Sequence, residues 1–362
     1  MRKLASIQKI KKIEPIEGAD RIELVHVLGW QCVAKKGEFK EGDYCVYFEI
    51  DSFLPIEPRF EFLRNSSYKK SELLGEGFRL KTQKMRGQIS QGLVLPCSVF
   101  PELWYDPVEK MNSVVPTEGQ DVTELLGVRK WEIPEKATTG GTVIGQLPYD
   151  VPHTDEIRVQ NFLEYTKEFA GLEYYITTKM DGSSHSISID ENGFHVTGHN
   201  YEYKDDDTCS FYKHVKERGY EELMRYWMRN HRNIKTLTIQ GEFCAPGIQK
   251  NRLKLEKPEW YVFTVRVNGE RMSFDEMIRI LVWSNFDGRE GFKTVPLEER
   301  GWDLPSKYPT VESLLERADG EYPNGGKKEG IVIRPVNPVY SETIGAELSM
   351  KVVNNKYLLK ND

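Results

Sequence analysis

Apolar residues gather in short runs, broken by polar turns, through the first third of the chain. "RIELVHVL", "WQCVAKKG", "DYCVYFEI" and "FRLKTQKMRGQISQGLVLP" are of strand length, rich in β-branched and aromatic residues, and separated by turns containing Gly or Asp. Roughly five or six such runs in little more than a hundred residues predict a small closed β-barrel over residues 1–130. The pattern then lapses in "KWEIPEKATTGGTVIGQLPYDVPHTDE", whose Gly, Pro and Thr mark residues 131–155 as a linker. From 156 to 362, strands alternate irregularly with two segments of helical period, "CSFYKHVKERGYEELMRYWMRNH" and "SFDEMIRILVWSNF". That order predicts an α+β domain and argues against a wound parallel sheet.

Composition narrows the class. The chain is 39% hydrophobic and 29% charged, as in a globular protein, and its 362 residues predict two or three domains. No apolar run is long enough to span a bilayer, and "MRKLASIQKIKKIE" lacks a signal-peptide core, so an intracellular location without membrane attachment is expected. Cys32, Cys45, Cys97, Cys209 and Cys244 are odd in number and scattered, which fits a reducing compartment and neither a disulfide framework nor a metal cluster. The net charge of −6 means that binding to a polyanion would need local basic patches.

Chemistry enters at "YYITTKMDGSSH". A β-branched run ends in Lys179, with Asp181 and Gly182 directly behind it. Alone, this is an ordinary strand end with an Asp-Gly turn. Downstream, however, "LTIQGEFCAPG" carries Glu242, "KKEGIVIRP" carries Glu329 at the mouth of a strand, and "LSMKVVNNKYLLK" carries Lys351. Each also fits a solvated charge. Together they supply an amine, two carboxylates and a second cation, the set needed for attack on a nucleotide phosphate.

The series KMDG, QGEF, YVFTV, KEGIVIRP and LSMKVVNNK resembles the motifs of the covalent nucleotidyltransferases, namely ATP-dependent DNA and RNA ligases and mRNA capping enzymes. The likeness covers roughly residues 150–360. With "HTDEIRVQN", "GIQKNRLKL" and the N-terminal strands, the chain looks most like family-five RNA ligases, which carry an OB-fold domain ahead of the catalytic domain. That resemblance implies an OB-like barrel over 1–130 and a nucleotidyltransferase domain of antiparallel sheets with flanking helices over 156–362. It implies Lys179 as the nucleophile that forms lysyl-AMP from ATP, with Lys351 neutralising phosphate charge. Glu242, Glu329 and Asp181 would hold Mg²⁺ or Mn²⁺, directly or through water. Phe263 and Val332 would cover the adenine, and Arg158, Gln160, Gly182, Asn200 and Lys356 would complete the nucleotide site.

Three positions depart from the family pattern. His199 stands where an arginine is usual, Thr264 where an aspartate follows the aromatic, and Ser349 where a lysine precedes Lys351 by two, with Lys356 as the substitute candidate. Lys81, Lys84 and Arg86 in one segment, and Lys250 and Arg252 in another, are candidates for RNA phosphate contact, though each also fits a solvated face. The reading is a monomeric ATP-dependent RNA ligase sealing 3′-OH/5′-phosphate breaks, with a nicked duplex carrying RNA on the 3′-OH side as its substrate. The alternatives are a DNA ligase or capping guanylyltransferase, in which the OB domain normally follows the catalytic one, and an inactive RNA-binding OB protein.

Overall fold

The computed structural model describes residues 2–106, 111–112, 115–132, 140–231, 233–283 and 291–361. The chain forms two compact units, Met1–Ile133 with Leu358–Asp362, and Pro134–Tyr357. In the first, an antiparallel sheet runs in the order Leu93–Pro96, Tyr44–Phe48, Ala5–Pro15, Ile22–Val27, Trp30–Lys35. The long strand Ala5–Pro15 serves two neighbours in succession. Ala5–Lys9 pairs with Tyr44–Phe48, and after a register shift between Ile10 and Lys12 the rest pairs with Ile22–Val27. Such a bulge bends the strand and curls the sheet. A four-stranded sheet (Arg129–Lys130, Ser52–Leu54, Gly75–Arg79, Tyr68–Ser71) and the hairpin Thr82–Met85/Gln88–Gln91 complete an OB-type barrel from separate sheets. Its core packs Ile7, Val46, Phe48, Leu54, Phe60, Phe78 and Phe100.

The second unit contains two sheets. The larger runs Val143–Gln146, Tyr201–Tyr203, Gly193–Thr197, Ser183–Asp190, Leu237–Cys244, Glu259–Val267, Glu270–Arg271, with Lys293–Thr294 added parallel to Glu259–Val267. The smaller runs Ile157–Arg158, Met350–Val353, Gly330–Pro335, Glu173–Lys179, Leu297–Trp302. The fold is α+β, as the sequence pattern predicts. Part of the expected linker is not one, because Val143–Gln146 is an edge strand paired to Tyr201–Tyr203. Residues 133–139 of that segment lie outside the described residues. The helical stretch after Cys209 is two helices, Ser210–Arg218 and Tyr220–Asn230, broken at Gly219 (φ 64°), a left-handed residue of the kind that ends helices. No described helix is long and apolar enough to cross a membrane.

Candidate active site

Strand register gathers the cations on one face of the smaller sheet. Thr177 lies opposite Val332, which lies opposite Lys351, and Arg158 pairs with Lys351 across the parallel edge. Residues two apart share a face, so Lys179, Val332, Arg334, Lys351 and Arg158 project together. Lys179 ends its strand opposite Gly330. At Gly330 (φ 154°) a Cβ would lie 2.1 Å from the Val352 carbonyl oxygen, so only glycine lets the strands approach there.

Lys179 Nζ sits 2.8 Å from Glu329 Oε1, both side chains largely covered. Burial alone would depress the Lys179 ammonium, but Glu329 and Glu242 override it and hold it above the ordinary lysine value. The resting amine is therefore charged. Lys351 behaves oppositely, pushed down to about 8 by burial and by Lys179 and Arg158. Glu242 projects from the larger sheet, where it accepts a 3.1 Å hydrogen bond from the Gly182 N–H. A Cβ on Gly182 would lie 2.4 Å from the Phe243 carbonyl oxygen, which explains the glycine of the KMDG turn. Burial, with the charges of Glu329 and Asp181, outweighs Lys179 and pushes Glu242 up to about 8.

Two of the expected site residues have partners within the protein. Asp181, expected in a metal's water shell, has both oxygens engaged: Arg252 binds Oδ2, and the Tyr357 hydroxyl donates to Oδ1 at 2.7 Å. Arg252, expected on RNA, instead turns inward, 11% exposed, with its guanidinium 4.6 Å from the Tyr357 ring centroid. Lys356 is ion-paired with Asp319 at the surface. Lys84, Arg86 and Lys250 are exposed, and Lys81 is half-buried.

The remaining candidates line the same unit. Phe263 is the extra residue of a bulge, since Gln240 pairs with Thr264 while Gly241 pairs with Val262. The buried Arg334 donates to the Phe263 carbonyl at 2.7 Å, to Thr264 Oγ1 at 3.0 Å, to Ser349 Oγ at 3.0 Å and to Glu156. Two departures from the family pattern thus converge on one guanidinium. Gln160 is fully buried, and neither polar atom of its amide has a hydrogen-bond partner among the described residues. His199 lies 3.3 Å from Asp155, and Asn200 is half-buried beside it. Sequence reasoning missed Tyr322, Tyr357, Glu156 and Arg334, whose partners lie far away in sequence. Tyr322 is the closest to the chemistry, because its hydroxyl donates to the Lys179 carbonyl oxygen at 2.7 Å.

An amine held by a carboxylate, beside two further cations and a second carboxylate, can attack phosphorus and balance the charge that develops. Comparison with known proteins agrees in kind. A family profile described as OB-fold domain matches residues 4–97, and one described as RNA ligase matches residues 172–353. No curated protein sequence matches the chain. Among solved structures, the chain is similar to an RNA ligase from Naegleria gruberi with PPi, at 34% identity and TM-score 0.85 over 99% of both chains. It is equally similar to a lysine-to-methionine variant of that ligase with AMP and Mn, at 34% identity, TM-score 0.86 and 99% of both chains. A lysine-to-alanine variant with ATP and Mn matches at 34% identity and TM-score 0.84, over 99% of this chain and 98% of that one. With half its length matched by the ligase profile and its whole length by a ligase structure, the chain belongs to the RNA ligase family.

Proposed function

We propose that the chain is an ATP-dependent RNA ligase that seals 3′-OH/5′-phosphate breaks through lysyl-AMP and adenylylated-RNA intermediates. The observation that carries this is the Lys179–Glu329 ion pair at 2.8 Å, flanked by Lys351 and Glu242. In the first step Lys179 releases a proton, for which Glu329 is the nearest acceptor. Its amine then attacks the α-phosphorus of ATP, and pyrophosphate leaves. Lys351 and Arg158 balance charge on the phosphate oxygens. A 5′-phosphate oxygen of the RNA next attacks the AMP phosphorus and displaces Lys179, and the 3′-OH finally attacks the phosphorus of the RNA 5′-phosphate and expels AMP.

Phe263 and Val332 are the faces offered to adenine, with Gly182 and Asn200 at the nucleotide's edge. The unpartnered amide of Gln160 is suited to hydrogen-bond a polar edge of the base. Glu242 and Glu329 fit a divalent cation, because burial and the neighbouring carboxylates that push Glu242 up to about 8 disfavour its charge, and a cation would relieve that. Among the described residues no three His, Cys, Asp or Glu side chains converge to hold a metal alone. Mg²⁺ or Mn²⁺ would thus sit on two carboxylates and keep several waters. When bound, it supplies charge neutralisation at the phosphates.

The N-terminal OB unit, residues 1–130, would grip the RNA through Lys84 and Arg86, with Lys81 as a further contact, and Lys250 of the second unit is a separate candidate for phosphate contact. The test is α-labelled ATP with divalent metal. The wild-type chain should take acid-labile label, and Lys179→Ala should take none while still sealing pre-adenylylated RNA. Label on the Ala variant refutes the assignment.

A further inference from the structure

We propose that Tyr322 is a positioning residue for the reaction of Lys179, its single hydroxyl fixing the backbone at both ends of the Lys179–Glu329 pair. The inference rests on the nucleophile reading above. The hydroxyl donates to the Lys179 carbonyl oxygen at 2.7 Å, and the Glu329 N–H donates to the same hydroxyl at 3.2 Å.

The location explains why such a bridge is needed. Strands Glu173–Lys179 and Gly330–Pro335 stop pairing at Lys179 opposite Gly330. Beyond that pair the ladder supplies no further rung, although Glu329 and the turn after Lys179 continue past it. The Tyr322 hydroxyl takes the place of the next rung. A phenol can both donate and accept, which few other buried side chains can do from one atom.

The tyrosine is itself firmly placed. It is 3% exposed and packs with Met180, Cys244, Leu253 and Val295. Its turn is closed by Tyr322 N–H to the Gly326 carbonyl and Gly325 N–H to the Tyr322 carbonyl, both 3.2 Å. Gly326 N–H then donates to the Arg252 carbonyl at 2.8 Å. A Cβ on Gly325 would lie 1.6 Å from that same carbonyl oxygen, so only glycine lets the turn pack this closely. A rigid turn thus sets the separation of two backbone atoms whose side chains meet 2.8 Å apart. Displacements near 1 Å at a reacting group can cost about a hundredfold in rate.

The experiment is single-turnover adenylylation of Tyr322→Phe across ATP concentrations. The maximal rate should fall roughly tenfold or more, while half-saturating ATP stays within about twofold, because position and not nucleotide binding is lost. Tyr308→Phe is the matched control. It also deletes a buried hydroxyl, one that donates to Glu299 at 2.8 Å, away from Lys179, and it should keep the wild-type rate at temperatures where it is folded. In the wild-type chain the Glu329 amide should exchange slowly with solvent. An undiminished Tyr322→Phe rate, an equal loss in Tyr308→Phe, or exchange of the Glu329 amide as fast as an exposed one each overturns the proposal. If the wild-type chain takes no label, or Lys179→Ala still does, the nucleophile reading fails and this inference with it. Labelling through Lys179 with a full rate in the Phe variant sinks the inference alone.

Discussion

Replacing Arg252 with alanine separates two readings of one basic residue. In the structure Arg252 binds Asp181 Oδ2 and lies over the Tyr357 ring, while Asp181 is 3% exposed at its side chain. Arg252→Ala leaves a buried carboxylate with one neutral donor, the Tyr357 hydroxyl. Removing one partner of a buried ion pair costs about 3–5 kcal/mol. In a unit the size of Pro134–Tyr357, each kcal/mol moves the melting temperature by about 2–4 °C, so a drop of roughly 10 °C is expected. Combining the change with Asp181→Asn should recover part of the loss, because no charge is then stranded. Were Arg252 an RNA phosphate contact, its removal would leave the melt within about 0.5 kcal/mol and cut the salt slope of RNA binding by about one unit. The assays are a thermal melt and RNA affinity measured across salt concentrations. An unchanged melt with a reduced slope refutes the structural reading.

Lys84→Ala and Arg86→Ala, both exposed on the hairpin Thr82–Met85/Gln88–Gln91, should each lower that salt slope by about one with little change in melting. His185 is fully buried, stacked 4.4 Å from Phe211, with its Nδ1 3.0 Å from the Thr197 carbonyl oxygen, and burial pushes it down to about 3. The folded state thus binds fewer protons than the unfolded one below about pH 6.5. Stability is complete above that pH and falls as pH drops toward 3, by about 2 kcal/mol between 6.5 and 5. His185→Phe should flatten that dependence in pH-resolved melts, and an unchanged slope would assign it to other groups. Among four nicked duplexes with RNA or DNA on each side, sealing by the adenylylated enzyme should be fast only with RNA at the 3′-OH, whose 2′-OH and A-form sugar align the attack. Equal rates with a DNA 3′-OH strand would favour a DNA ligase.

The barrel strands of the first unit are legible because they are short β-branched and aromatic runs set between Gly- or Asp-containing turns, whether buried on both faces like Tyr44–Phe48 or alternating like Trp30–Lys35. Val143–Gln146 is not, because a four-residue strand interrupted by Gly145 and never more than half-buried is too short to show a pattern, and it pairs only with Tyr201–Tyr203. At the site, Lys179, Glu242, Glu329 and Lys351 stand out because each is a charge set in or beside an apolar run. The distances between them depend on register, which local sequence does not specify. Arg252 illustrates the limit. Its basic neighbours read as a phosphate-binding segment, but the carboxylate that claims it lies 71 residues away. Tyr322 offers even less, as a lone tyrosine in a glycine-rich turn.

The convergence of Thr264 and Ser349 on Arg334 has a consequence for how this sequence can change. Glu156 balances the guanidinium, and the two hydroxyls accept from it without adding charge. An aspartate introduced at 264 alone would set a second carboxylate against one buried cation, and a lysine at 349 alone would crowd two cations. Introduced together, the two charges cancel. The positions are therefore epistatic: passage between this arrangement and the commoner family pattern needs both substitutions, with either single step disfavoured. A double-mutant cycle of Thr264→Asp and Ser349→Lys, read by melting temperature, should give a favourable coupling, and simple additivity would show that the two sites drifted independently.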